Sequence, residues 1–152
     1  MYRLIRLTSQ DYRNYRKVYS NIKYSFFKKG EEKPYLVSKV REALMAQIKG
    51  KGDYLSDIED PNQELYFLEI DGNIQGFVQL IFHHNFCNIY EFAVFEHYKG
   101  WGTLLYDEVL KIVREKGLRW IKLYCPFDGA KVFWLKKGFS PRANNLFEKR
   151  IK

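Results

Sequence analysis

Cysteine is scarce in this chain, with only Cys87 and Cys125 among 152 residues. Two thiols cannot build the disulfide framework of a small secreted scaffold or a four-cysteine metal site, so both read as free core thiols in a reducing compartment. Long apolar runs are missing too: nothing approaches the roughly 18 residues a membrane helix needs, so no membrane association is expected. The start, Met1-Tyr2-Arg3-Leu4-Ile5-Arg6, alternates polar and apolar residues and lacks the apolar core of a secretory signal. A cytoplasmic protein is therefore expected. No repeat, low-complexity stretch or linker divides residues 1–152, and a single domain follows. Acidic residues are outnumbered, 18 against 26 Lys and Arg, and the net charge of +8 favours an anionic partner such as nucleic acid, a phospholipid headgroup or a polyphosphorylated cofactor. What is present is globular: hydrophobic residues make up 46%, and a chain of this length buries about 68–70% of its unfolded surface.

Period-2 and period-3.6 patterns place the elements. Tyr2 to Thr8 reads as a strand, and Ser9-Gln10-Asp11 supplies caps for a Tyr-rich helix to about Tyr24. Pro34 opens a second helix carrying Val37, Val40, Leu44 and Ile48, which Gly50 stops. A loop to Gln63 holds an acidic cluster, Asp53, Asp57, Glu59 and Asp60. Glu64 to Ile70 and Ile74 to His83 flank Asp71-Gly72-Asn73, a hairpin signal because Asp-Gly accepts the positive φ of a tight turn. A turn at Asn85 to Asn88 leads to a strand at Ile89 to Phe95. An amphipathic helix from about Gly102 to Lys116 ends at Gly117, a strand spans Arg119 to Cys125, and a helix from Asp128 to Lys137 ends at Gly138. The last strand is expected at Asn145 to Ile151.

The stretch with chemical content is Glu96-His97-Tyr98-Lys99-Gly100-Trp101-Gly102-Thr103, between a strand and a helix start. Glycines let backbone approach a ligand, and unbonded N–H groups at a helix start attract anions, so the loop can cradle phosphate. The same residues would also make a plain strand-to-helix turn. His83 and His84 are adjacent on an expected strand, point to opposite faces and cannot chelate one ion, so no metal site is expected.

The wider pattern resembles the GNAT-type N-acetyltransferases. His97-Tyr98-Lys99-Gly100-Trp101-Gly102 is similar to that family's Gln/Arg-x-x-Gly-x-Gly/Ala loop, with His97 in place of Gln or Arg. Ala130-Lys131-Val132-Phe133-Trp134-Leu135-Lys136-Lys137-Gly138-Phe139 is similar to its second signature. The resemblance implies an α/β (α+β) GNAT fold: a mixed central sheet of about seven strands, helices on both faces, and the fourth and fifth strands splayed. It implies N-acetyl transfer from acetyl-CoA, as co-substrate and without a metal, to an amine acceptor. Ala93, Val94, Lys99, Gly100, Trp101, Gly102, Thr103, Phe133 and Lys136 would line the CoA site. The backbone of Ala93 and Val94 would pair with the pantetheine arm, and the Val94 amide would face the thioester carbonyl. Glu91 would remove the amine proton through water. The family's acidic tyrosine position holds Trp134, which cannot donate a proton near neutral pH, and Tyr124 is the substitute.

Two other readings stand beside this one. The missing acid suits a non-catalytic acyl-CoA-binding module. Charge together with 12 Tyr and 12 Phe suits a basic nucleic-acid-binding protein, ranked last because no RNA-binding signature accompanies them. A homodimer is compatible with the sequence. The acceptor is not written in any motif; an approach past the acidic cluster would favour a cationic amine.

Overall fold

The computed structural model of the chain describes residues 1–8, 59–94, 96 and 99–152. Alternating apolar positions and tight turns form strands β1 (Tyr2–Arg6), β2 (Gln63–Ile70), β3 (Asn73–Phe82), β4 (Phe86–Val94), β5 (Trp120–Tyr124), β6 (Ser140–Pro141) and β7 (Leu146–Arg150). Helices α1 (Trp101–Glu115) and α2 (Asp128–Lys136) connect β4 to β5 and β5 to β6. One mixed sheet results, in the order β1-β2-β3-β4-β5-β7-β6. The β4–β5 pair alone is parallel, as a strand-helix-strand crossover requires. Asp71 (φ 50°) and Gly72 (φ 84°) turn the β2–β3 hairpin in the left-handed region, as their residue types suggest.

Val78, Leu80, Cys87, Ile89, Ile121, Leu123 and Phe147 share one sheet face and pack with Leu105, Tyr106, Val109 and Val113 of α1 and Trp134 of α2. On the opposite face Leu65, Phe67 and Phe77 are buried, the two phenyl rings 5.7 Å apart. Both helices end in the same way. Leu118 N–H donates to the Val113 carbonyl (3.3 Å) and Gly117 N–H to Arg114 (2.9 Å); Phe139 N–H donates to Trp134 (3.1 Å) and Gly138 N–H to Leu135 (3.0 Å). Gly117 and Gly138, at φ 71° and 88°, supply the left-handed residue each cap needs.

Several boundaries differ from expectation, most by a single residue, and β1 ends at Arg6 rather than Thr8. β4 starts at Phe86 rather than Ile89, because His83 N–H bonds the Phe86 carbonyl at 2.9 Å and closes the turn earlier. The last strand begins at Leu146, after a short 3-10 turn, Ala143–Asn145. β6 is two residues long and hidden in the sequence by Pro141, a residue that reads against a strand. Both described helices lie on one face of the sheet. The helices expected at 11–24 and 34–50, which would bear on the expectation of helices on both faces, lie outside the described residues, as do Asp53, Asp57 and His97. No described helix is long and apolar enough to cross a membrane.

At the far end of α1 a carboxylate is buried with its charges matched. Glu64 is 6% exposed, accepts a hydrogen bond from the Tyr66 hydroxyl, and pairs with Lys116 Nζ at 2.6 Å and Arg6 at 3.9 Å. Burial pushes its pKa up, but the bonds from Lys116 and Tyr66 and the Arg6 charge outweigh that and leave it below the ordinary value. Cys87, desolvated nearby, is pushed up to about 12 and is inert as a nucleophile.

Candidate functional site

β4 and β5 run in register from Phe86↔Trp120 to Ile89↔Leu123 and then part. The cause is visible on the other side of β4. Gln79 opposes Glu91 while the next β3 residue, Leu80, opposes Ile89, so Tyr90 is an extra residue in β4. A bulge bends the strand that carries it, and this one falls directly after the last pair with β5. β5 ends at Tyr124, whose register partner is Leu146 of β7. A cleft therefore opens between Tyr90–Val94 and the end of β5.

Strand alternation decides which backbone groups face this cleft. A Cβ on Gly76 would lie 3.2 Å from the Ala93 carbonyl oxygen, so that oxygen is turned toward β3. The N–H and C=O groups of Phe92 and Val94 are then turned to the side that β5 has left. Of the two backbone positions expected in the cleft, Val94 faces it and Ala93 does not. The Ala93 side chain is buried instead, opposite Phe77.

Past the cleft the chain enters α1 through Gly100, at φ 79° and ψ 4°, a conformation that costs glycine nothing. A Cβ there would meet nothing within 4 Å, so the space beside the loop is open. The first intrahelical bond is Leu104 N–H to the Gly100 carbonyl (3.0 Å), which leaves the N–H groups of Trp101, Gly102 and Thr103 without an intrahelical acceptor. The first turn has no acidic residue and no side-chain cap. Its positive end is thus unmatched, as an anion site requires. Gly102 has another use: a Cβ there would meet Phe133 Cε2 at 3.2 Å and Val94 Cγ2 at 3.8 Å, so the missing side chain makes room for the Phe133 ring.

Phe133 packs at 5.8 Å from Phe92 and 4.8 Å from Trp134. Trp134 is 5% exposed, edge-on to Phe92 (5.0 Å), Tyr106 (6.0 Å) and Phe139 (5.2 Å). It is a core residue. Glu91 is half-buried opposite Gln79; Tyr124 is 62% exposed at the mouth of the cleft, as is Tyr90 at 60%. Lys99 is exposed beside Gly100, and Lys136 is exposed on the last turn of α2. Asp60 accepts from Asn62 N–H (2.8 Å) and Gln63 Nε2 (3.2 Å), so it caps the turn into β2.

Sequence reasoning missed two residues here. Lys137, not Lys136, reaches the start of α1, its Nζ 2.7 Å from Thr103 Oγ1. The signal was available, since Lys137 follows Phe133 by four positions and shares its side of the helix. Tyr90 could not be found this way, because no residue pattern announced the bulge. No group of His, Cys, Asp and Glu able to hold a metal occurs among the described residues.

Residues 16–139 match the family model described as Acetyltransferase (GNAT) family, and the chain belongs to that family. Among solved structures, PaiA N-acetyltransferase of Thermoplasma acidophilum, in complex with coenzyme A, is similar over 99% of both chains, with 19% identity and a TM-score of 0.68. An acetyltransferase of Thermus thermophilus is similar over 99% of this chain and 97% of its own, with 16% identity and a TM-score of 0.68. These identities establish a shared fold, a mixed sheet with β4 and β5 parallel, and no more. No curated protein matches the sequence.

Proposed function

We propose that this acetyltransferase is an N-acetyltransferase of the cytoplasm that moves an acetyl group from acetyl-CoA to a primary amine of a small molecule or protein by direct attack. The observation that carries the reading is the β4–β5 register, which stops at Ile89↔Leu123 while β4 runs on to Val94. Backbone groups left in that gap suit an extended amide-bearing arm added as a strand. The Thermoplasma relative, bound to coenzyme A, supports the same ligand for this chain.

Each residue then has a task. The N–H groups of the Gly100–Thr103 turn, with Lys99 beside them, hold the diphosphate, and Phe92 and Phe133 wall the cleft. The Val94 N–H faces the thioester oxygen and stabilises the charge that builds there as the amine attacks. Glu91 takes the proton that an alkylammonium must lose, through one water. The C–N bond forms and the C–S bond breaks. Tyr124 donates a proton to the departing thiolate and is restored by the second proton, which the nitrogen sheds once the C–N bond has formed, while Glu91 passes the first to solvent, so the products are the amide, free CoA and one proton.

Trp134, buried where many family members carry a tyrosine, favours a second reading, a module that binds acyl-CoA without turning it over. Calorimetric titration with CoA, together with a thiol-release assay using acetyl-CoA and a panel of amines, separates the two. The proposed activity predicts CoA binding and thiol release with at least one amine. Binding without release from any amine favours the module, and absence of CoA binding overturns both.

A further inference from the structure

Gln79 sits in the middle of β3, in a setting built for an apolar side chain. It is 1% exposed, its register partner on β2 is Leu65, and Phe77 precedes it on the same face; both neighbours are buried as well. A buried amide is costly unless its groups are bonded. Gln79 Nε2 donates to Gln63 Oε1 at 2.9 Å, and Gln63 Nε2 donates to Asp60 Oδ2 at 3.2 Å. Asp60 Oδ1 meanwhile accepts from the Asn62 N–H at 2.8 Å, so the carboxylate is held at both oxygens. A carboxylate only accepts, whereas an amide has one accepting and one donating end. Asp60 therefore decides which way the chain of amides runs. Gln63 turns its NH2 to Asp60 and its oxygen to Gln79, and Gln79 turns its NH2 toward β2. The Gln79 oxygen is thereby directed to the β4 side, where Glu91 stands directly opposite in the register. Side chains of such a pair share one face of the sheet, with their Cβ atoms about 4.5–5.5 Å apart.

We propose that Gln79 is a positioning residue for the Glu91 base, and that Asp60, acting through Gln63, sets its amide. The inference rests on the assignment of Glu91 as the base and deepens it. Two acceptors side by side, the Glu91 carboxylate and the Gln79 oxygen, take the two hydrogens of the water that joins Glu91 to the amine. The water's lone pair is then aimed at the ammonium N–H. The nitrogen passes its proton to that water and the water passes one to Glu91, so the water is restored and one proton has moved to the carboxylate. No bond of Gln79 changes. An amide turned the other way would point its N–H groups at Glu91 and hold the carboxylate in the water's place.

The test is steady-state kinetics of the full chain with acetyl-CoA and an amine that the thiol-release panel finds active, at high NaCl so that exposed charges of the acidic loop are screened. Gln79→Met should lower kcat about tenfold and leave the KM for acetyl-CoA within about twofold. In a Glu91→Gln background the same change should cost less than about twofold, because the water has lost the carboxylate it served. Asp60→Asn replaces one oxygen by NH2. With Oδ1 still accepting from Asn62, that NH2 faces Gln63 and reverses the chain. Its kcat should fall about threefold to tenfold, again only where Glu91 is present, and this variant carries the prediction should Gln79→Met fold poorly. Unchanged kcat in Gln79→Met overturns the role of Gln79, and unchanged kcat in Asp60→Asn alone overturns that of Asp60. Losses that multiply with the loss from Glu91→Gln, or a KM for acetyl-CoA that rises in step with them, mark a structural effect and overturn both. If Glu91→Gln leaves the rate unchanged, or the wild type releases no thiol with any amine, the base assignment or the acetyltransferase reading has failed, and the positioning role falls with it.

Discussion

The two halves of β4 have the same strand geometry and opposite fates. From Phe86 to Ile89 the strand is paired on both sides, by β3 and β5, and contributes Cys87 and Ile89 to the core. From Glu91 to Val94 it keeps β3 and loses β5, with Tyr90 the unpaired residue between the halves. One inserted residue separates a structural half from a half whose backbone is turned to a cleft. The contrast teaches that the gap beside β4 is made by ending a ladder early, and that it is a backbone feature before it is a side-chain one.

The largest expected effect concerns chemistry in the parted half. Glu91→Gln should lower kcat by about 10²–10⁴-fold at neutral pH, with part of the loss recovered at higher pH as more amine is free. A pH–rate profile checks this, and an unchanged rate removes Glu91 as the base. Next comes packing under that half. A methyl at Gly76 would meet the Ala93 carbonyl oxygen (3.2 Å), Leu68 Cβ (3.3 Å) and Leu105 Cδ2 (3.4 Å). Gly76→Ala should therefore destabilise by about 1–3 kcal/mol, read as a shift in denaturant midpoint. Gly100→Val meets no neighbour but forces a β-branched residue to φ 79°. It should cost about 1–2 kcal/mol and weaken CoA binding, whereas Gly117→Val at φ 71° should cost stability and leave CoA binding alone.

The smallest effect lies outside the site. Glu64 has a native pKa below its ordinary value of 4.5, so its ionised form stabilises the fold above about pH 4.5, and that contribution fades as pH falls through the native value. Acid unfolding should begin in that window, and Glu64→Gln should flatten the pH dependence there. An identical acid profile in the variant would contradict the pairing.

Legibility followed how local each feature is. The β2–β3 hairpin, both glycine-terminated helices and the glycine-bearing entry to α1 were readable, because Asp71-Gly72, Gly117, Gly138 and Gly100 carry their backbone requirement in the residue type. The bulge at Tyr90, the two-residue β6 and the turn of Ala93 away from the cleft were not, since each depends on a neighbouring strand. Trp134 was legible as a failed acid but not as the centre of a four-ring core contact. That Lys137 rather than Lys136 reaches Thr103 follows from helix phase, which charge alone does not show.

Amide hydrogen exchange with and without CoA tests the central claim most directly. The account predicts that CoA slows exchange in Tyr90–Val94, at Phe92 and Val94 above all, and leaves Phe86–Ile89 as protected as before. Equal protection of both halves, or none in Tyr90–Val94 under saturating CoA, would contradict it.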